Sequence, residues 1–476
     1  MYKLTPIIHS EVETFLTDIS EISSLVSKYG SPLNVLFPQL MPENIKDFQT
    51  CLDAFDFDYR ICYAHKPNKS MVFPAIAKKS GIGIDVASIA ELHNALLLGF
   101  LPSQIEATGP KSHSFLTACI ETGIMINVDS LRELESIGTL SKEKNKSSSV
   151  LIRLSNFSST SVAIKAKLER FGVEYAQIDR VWEILKNYSQ TILLRGFSFH
   201  INTNSLPERQ IAVEHVIKAT LAGQNHGHDQ CSIVNIGGGY QANFIKNKNE
   251  WDDYLIQLKE YAQGTHPERL SFSGTAFGFF SEGKAVKGSY TFQDFYNATP
   301  KTAFLKKILQ HQLPEFENRS VSTVIAEHLL ELWLEPGQSL LDQCGITLAR
   351  IIDIKSVKTE HIIVTEMNYT NLDSDRYELF TDPVHLTSAL PSSSKPKGYF
   401  ISGDLCLSID LIANHKVYLD KQPQPGDTLA FINTAAYRMD FVESQPLHHP
   451  IAAKIVVSNN QIQSESDFVA QIANSK

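Results

Sequence analysis

Between Ile45 and Gly337 the chain repeats one pattern: a short apolar segment, a turn, then apolar residues at helical spacing. Eight such segments can be read, at 61–65, 83–87, 105–108, 125–128, 150–154, 196–201, 232–236 and 332–334. Helical stretches such as 89–98, 130–137, 174–185 and 252–262 lie between most of them. Strands separated by helices run parallel, because a long crossover is what returns the chain to a sheet in the same direction. Eight such units predict a closed (β/α)8 barrel, with an open doubly wound sheet as the competing arrangement. Ser88 and Glu91 have capping-box spacing just ahead of Leu92, Ala95 and Leu96, so a helix should begin where the second strand ends.

After Glu335 the texture changes to short β-branched segments, at 345–354, 361–365, 399–402, 428–432 and 451–457, separated by Gly, Pro, Asn or Asp. A chain of 476 residues suits two domains. The expected division is an α/β barrel over 45–336 and a β-barrel or β-sandwich domain over 337–476, completed by residues 1–44. The barrel would carry an insertion at about 264–320 with its own helix at 301–311. The serine runs at 147–149 and 392–394 read as loop tips.

The formal net charge of −9 argues against nucleic acid or an anionic membrane as the main partner. No apolar run approaches the ~20 residues of a membrane-crossing helix. The N-terminus lacks the apolar centre of a signal peptide. The six scattered cysteines form no disulfide or zinc pattern, and a reducing, cytoplasmic setting is expected. His226 with His228, and His448 with His449, have metal-like spacing but no evident acidic or cysteine partner, so no metal is expected.

In a barrel of this kind chemistry gathers at the C-terminal ends of the strands. The first strand delivers Lys66, the second Asp85 and the sixth His200. The seventh leads into Gly237, Gly238 and Gly239, and the eighth into Glu335, Pro336 and Gly337. A lysine withdrawn from water can condense with a carbonyl. Bare glycine backbone can hold a phosphate. A carboxylate can partner a basic ring nitrogen. Pyridoxal 5′-phosphate (PLP) has the aldehyde, the phosphate and the ring nitrogen that these groups suit.

The stretches YAHKPN, DVASIAEL, FSFHINTNS, NIGGGY, LEPGQSLL, GDLCLSID and NTAAY occur in that order between Tyr63 and Tyr437. This series resembles the fold type III PLP enzymes, and within them the diaminopimelate/ornithine/arginine decarboxylase group. Tyr29 to Leu33 (YGSPL) is similar to that group's opening segment, and the overall texture resembles a bacterial subgroup of it. The resemblance implies that Lys66 is the Schiff-base lysine, with Asp85 beside it favouring its charged form. It implies that His200 stacks on the cofactor ring and that Glu335 keeps the ring nitrogen protonated. Gly237, Gly238 and Gly239 would hold the phosphate with Thr203 and Tyr437, beside Gly337. Cys406 and Asp410 would reach the substrate across a homodimer interface, Cys406 with Lys66 as candidate proton donors to Cα. The implied reaction is decarboxylation of an amino acid or an amino-acid-derived intermediate. Racemases of the same fold carry an arginine at the Glu335 position, so the alternatives, a racemase or a non-catalytic PLP-binding protein, rank lower.

Four positions depart from the group's pattern. Asn202 and Thr203 stand where glycine and serine are usual. Gln338 replaces an arginine that engages substrate carboxylate in the diaminopimelate enzymes, and Leu407 replaces a glutamate that meets the distal end of the substrate. Met367, Asn368 and Tyr369 are not followed by the expected Arg-Pro. Losing a bidentate arginine removes both charge and geometry for a carboxylate. The cofactor half of the site is expected to be intact and the substrate half rewritten.

Overall fold

Apolar residues on both faces of a short strand are tolerated only where both faces are covered, and that condition shapes the first unit. The computed structural model describes residues 1–158, 169–201, 203–372, 378–388, 396–459 and 461–474, so Asn202 and the serine run 392–394 lie outside it. One unit comprises residues 41–241, 299–340 and those from 469 onward. Its strands are β1 (Tyr59–Ala64), β2 (Gly83–Val86), β3 (Ile105–Ala107), β4 (Met125–Val128), β5 (Ser148–Ser155), β6 (Ile192–Ser198), β7 (Ile233–Asn235) and β8 (Glu331–Leu334). Successive strands pair in parallel from β1 to β8, and β8 pairs in parallel with β1. The ring is therefore closed, and the open sheet is excluded.

Two helices start by one device. Ser88 Oγ accepts from Glu91 N–H at 3.1 Å, and Glu91 Oε2 accepts in return from Ala87 N–H at 2.6 Å, which starts helix Ile89–Leu97. Ser130 Oγ accepts from Glu133 N–H at 3.1 Å while Glu133 Oε1 accepts from Asp129 N–H at 3.1 Å, starting helix Leu131–Glu143. Each cap satisfies donors that a helix start leaves open and contributes about 1 kcal/mol. The reciprocal bond reaches the residue before the N-cap, so it also pins the chain just past β2 and β4.

The sixth strand differs from its expected span of 196–201. It begins at Ile192, and residues 199–201 already belong to the loop. Gly196 explains the early start, because a Cβ there would lie 1.9 Å from Ile233 O of β7. Only a glycine lets β6 and β7 approach so closely. Phe199 is apolar but leaves the ladder: its N–H donates to Asn235 O at 3.0 Å and its ring is buried.

The second unit comprises residues 1–40, 242–298 and 341–468. Its main sheet follows the order Leu411–Leu419, Lys397–Ser402, Glu360–Thr365, Gly345–Val357, Leu33–Leu36, Ala453–Ser458, Gln461–Ser464. The long strand Gly345–Val357 shifts register between Ile351 and Asp353, a bulge that lets it pair with Glu360–Thr365 beyond the shift while its first half meets Leu33–Leu36 and Thr428–Phe431. Strand Leu411–Leu419 escaped the sequence reading because Asn414, His415 and Lys416 interrupt its apolar pattern. Pairing makes their burial tolerable: His415 meets Glu378 at 2.5 Å and Lys416 meets Glu360 at 2.8 Å.

The stretch expected as an insertion at about 264–320 divides near residue 298. Its first part, with residues 242–263, packs Tyr254, Phe292 and Phe295 against Tyr2 and Phe380 of the β-rich unit, and it carries the hairpin of Phe279–Glu282 and Ala285–Gly288. Helix Lys301–Leu309 belongs to the barrel unit.

Candidate active site

β1 ends at Ala64, and its exit is stitched to both neighbours. Ala64 N–H donates to Pro336 O at 3.2 Å and His65 N–H donates to Asp85 O at 3.0 Å. Lys66 follows directly and is exposed at the C-terminal end of the barrel. Gly337 permits this arrangement, since a Cβ there would come 2.7 Å from Pro67 Cγ. The lysine's charge bears on two predicted site residues, drawing the Asp85 carboxyl down and opposing protonation of His200. Lys66, Asp85 and His200 are thus neighbours.

Asp85 is buried on β2, and its carboxyl is pushed up to about 8. Loss of water is the main cause and the Glu335 carboxylate the second, with Lys66 and a hydrogen bond to Thr108 opposing them. With that upward push the Asp85 carboxyl holds a proton near neutral pH. His200, in the loop after β6, is held well below the usual histidine range by burial and then by Lys66, Arg153 and Arg209. Its imidazole is neutral at physiological pH. Gly238 lies against it, a Cβ at that position falling 3.5 Å from His200 Nε2.

Glu335 follows β8 and is buried. Its Oε1 accepts from Asn235 Nδ2 at 2.7 Å and from Asn127 Nδ2 at 3.4 Å. The same two amides donate to Glu106, Asn127 at 2.8 Å and Asn235 at 3.0 and 3.2 Å. Ser198 Oγ donates to Asn127 Oδ1 at 2.6 Å and fixes the flip of that amide. Glu106 is raised well above the usual carboxylate range, first by burial, then by Glu335 and Asp85. Glu106 thus favours its protonated form beside Glu335. Glu106, Asn127, Ser198 and Asn235 went unnoticed in the sequence, where single polar residues within strands carry no motif.

The glycine turn after β7 is built for backbone donation. Gly237 and Gly239 have φ of 66° and 82°, which side chains seldom adopt. Gly237 N–H is occupied by Asn235 Oδ1 at 2.9 Å, so that glycine contributes conformation rather than a donor. The N–H groups of Gly238 and Gly239 donate to none of the described residues. Thr203 stands in the loop after β6, its Oγ1 accepting from Ser205 N–H at 3.0 Å ahead of helix Leu206–Asn225. Gln338 is half-buried beyond Gly337.

Cys406, Asp410 and Tyr437 belong to the β-rich unit. Cys406 is an exposed free thiol. Both oxygens of buried Asp410 are engaged within its own unit, Oδ1 by Tyr369 N–H at 2.7 Å and Oδ2 by Leu405 N–H at 2.8 Å. Asp410 therefore shapes the loop that presents Cys406. Tyr437 is half-buried, at φ 60°, its ring edge-on to Phe441 at 5.4 Å.

The barrel residues fit PLP on three counts: an amine on an exposed turn, two successive peptide N–H groups without acceptors among the described residues, and a carboxyl held in place by two amides. A parallel barrel with these groups at its mouth defines a pyridoxal-phosphate enzyme. Residues 41–273 match the family described as pyridoxal-dependent decarboxylase, pyridoxal binding domain. The uncharacterized protein y4yA of Sinorhizobium fredii is 25% identical over 95% of this chain and 94% of its own length. A diaminopimelate decarboxylase of Bacillus methanolicus is 26% identical over 87% of this chain and 85% of the relative. The crystal structure of diaminopimelate decarboxylase from M. jannaschii in complex with L-lysine has a similar fold, with a TM-score of 0.69 at 18% identity over 94% of each chain. Residues 41–273 therefore carry the pyridoxal-binding domain of these decarboxylases, and the chain is similar to diaminopimelate decarboxylases over most of its length.

Proposed function

We propose that this enzyme removes CO2 from Cα of an amino acid or an amino-acid-derived intermediate whose recognition differs from that of diaminopimelate. The convergence of Lys66, Asp85, His200 and Glu335 on one barrel mouth carries the reading. Bound PLP supplies an aldehyde that captures amines and a ring that accepts the electron pair left at Cα as CO2 departs. Lys66 would be the amine that holds the cofactor's aldehyde. Glu335 keeps a proton on the ring nitrogen, its geometry fixed by Asn127 and Asn235. Neutral His200 offers an uncharged face to the ring. The N–H groups of Gly238 and Gly239 take the phosphate, with Thr203 and Tyr437 assigned to the same end and Gly337 admitting the chain beside Lys66. The Cys406 thiol or the Lys66 amine returns a proton to Cα.

Gln338 and Leu407 replace charged residues of the group, which supports a substrate lacking the doubly charged distal end of diaminopimelate. The active unit is a homodimer, with Cys406 of one protomer, on the loop that Asp410 shapes, completing the partner's barrel. No helix among the described residues is long and apolar enough to cross a membrane. All six cysteines are free, which supports a reducing, cytoplasmic setting.

The test is a screen of free amino acids and aminoacyl thioesters for CO2 release, read beside the violet-edge absorption of the lysine-bound cofactor. Wild type shows the band and releases CO2 from one substrate class. Lys66→Ala loses the band and at least about 10³-fold in rate. A band that survives in Lys66→Ala would sink the assignment. A band without CO2 release from any compound would favour a binding protein, and loss of enantiomeric purity without CO2 a racemase.

A further inference from the structure

Arg209 lies in the first turn of helix Leu206–Asn225, and its side chain is fully buried. It has no ion pair with any described residue. Its Nη2 donates to Gly238 O at 2.7 Å and its Nη1 to Ile236 O at 3.3 Å. The rings of Phe199, Tyr240 and Phe304 box the guanidinium, with centroids 5.8, 5.9 and 6.0 Å away. A Cβ on Gly239 would sit 2.2 Å from Nη2, so the charge rests against the glycine turn itself. Burying an unpaired cation is costly, and a site that does so commonly provides for an anion nearby.

Peptide geometry says where that anion belongs. In a planar trans peptide the C=O and N–H point in opposite directions. Arg209 holds the Gly238 carbonyl, so the Gly239 N–H points away from Arg209. Glu335 N–H donates to Gly237 O at 3.0 Å, so the Gly238 N–H is turned away from Glu335 in the same manner. Both N–H groups lack acceptors among the described residues, and the buried charge stands behind them.

We propose that Arg209 is a positioning residue for the phosphate of the cofactor, aiming the Gly239 N–H and supplying the positive charge that favours the dianion. It touches the turn from behind and acts through it. The inference rests on the reading of this mouth as a PLP site.

The full-length cofactor-free protein is titrated with PLP and with pyridoxal, which has the same ring and aldehyde but no phosphate. Binding is read from the lysine-bound absorption band, and the ionisation of the bound phosphate from its ³¹P shift against pH. Arg209→Gln should lose roughly 10- to 100-fold in affinity for PLP and less than about threefold for pyridoxal. Arg209→Lys should fall between wild type and Arg209→Gln. Equal losses for the two ligands, or none, would overturn the proposal. Should Arg209→Gln not fold, the wild-type ³¹P titration and Arg209→Lys decide. A bound phosphate whose second ionisation matches that of free PLP, or wild-type PLP affinity in a variant whose compact ammonium cannot reach both carbonyls, would also overturn it. Failure of wild type to bind PLP at all would instead count against the site assignment.

Discussion

Asp85 and Glu106 make the barrel mouth a store of protons. Both carboxyls are buried and both are raised, Asp85 to about 8. A raised folded-state value means that the native protein binds more protons than the unfolded chain above the ordinary carboxylate range. Their contribution to stability is complete at acid pH below that range and is lost as pH climbs toward 8. His200, held neutral by burial, gives the opposite slope over pH 5 to 7, so the loss shows as a difference: relative to Asp85→Asn, the cofactor-free wild type should lose up to about 1.4 kcal/mol per pH unit. Urea unfolding of both proteins across that window measures the difference. A wild-type stability that does not fall relative to Asp85→Asn from pH 5 to 8 would contradict the assignment. The positions of Lys66, His200 and Glu335 just beyond strands could be read in the sequence because each lies inside a recognisable run. Glu106 and its amides were not, because their role exists only when β3, β4, β6, β7 and β8 bring them to one layer. Arg209 was hidden differently: an arginine in the first turn of a helix reads as a solvated charge, and nothing local shows the turn closing over it.

Among the elements, the barrel strands were readable wherever apolar runs coincided with the ladder, and β4 matches its expected span of 125–128. The misreading of β6 came from apolar residues that continue past the sheet and from a glycine taken for the strand's start. Gly196 stands in the middle of β6, paired with Ile233. Gly196→Ala should push β6 from β7, since the new Cβ would meet backbone that has no rotamer to give. The expected cost is about 3 kcal/mol, measured as a lowered urea midpoint at unchanged slope. Because β6 leads to His200 and β7 to the glycine turn, PLP affinity should weaken in the same variant. Stability within about 0.5 kcal/mol of wild type would show that the strands can separate freely there. The segment 242–298 teaches the opposite lesson: its aromatic residues are obvious in sequence, but which core they enter depends on contacts with Tyr2 and Phe380, far away along the chain.

For the whole molecule, the proposed homodimer makes a quantitative demand. Exposed apolar side chains gather in the β-rich unit at Leu407, Ile409, Phe441, Leu447 and Ile451. The segments that carry them are linked, His449 Nδ1 lying 3.4 Å from Asp404 Oδ1. Apolar residues concentrated in this way suit an interface between copies, and exposed Cys406 stands among them. If Cys406 serves the partner's barrel, Lys66→Ala and Cys406→Ala damage opposite halves of each shared site. Co-expressed in equal amount, the two variants form mixed dimers in half of the population. Each mixed dimer then has one site with both residues intact and one with neither. The mixture should therefore recover about a quarter of wild-type activity, although each variant alone is nearly inactive. A site built within one chain predicts no recovery at all, since every barrel would lack either its lysine or its thiol. Activity of the co-expressed pair no greater than the mean of the separate variants would place Cys406 on the same protomer as the Lys66 it serves, or outside the reaction.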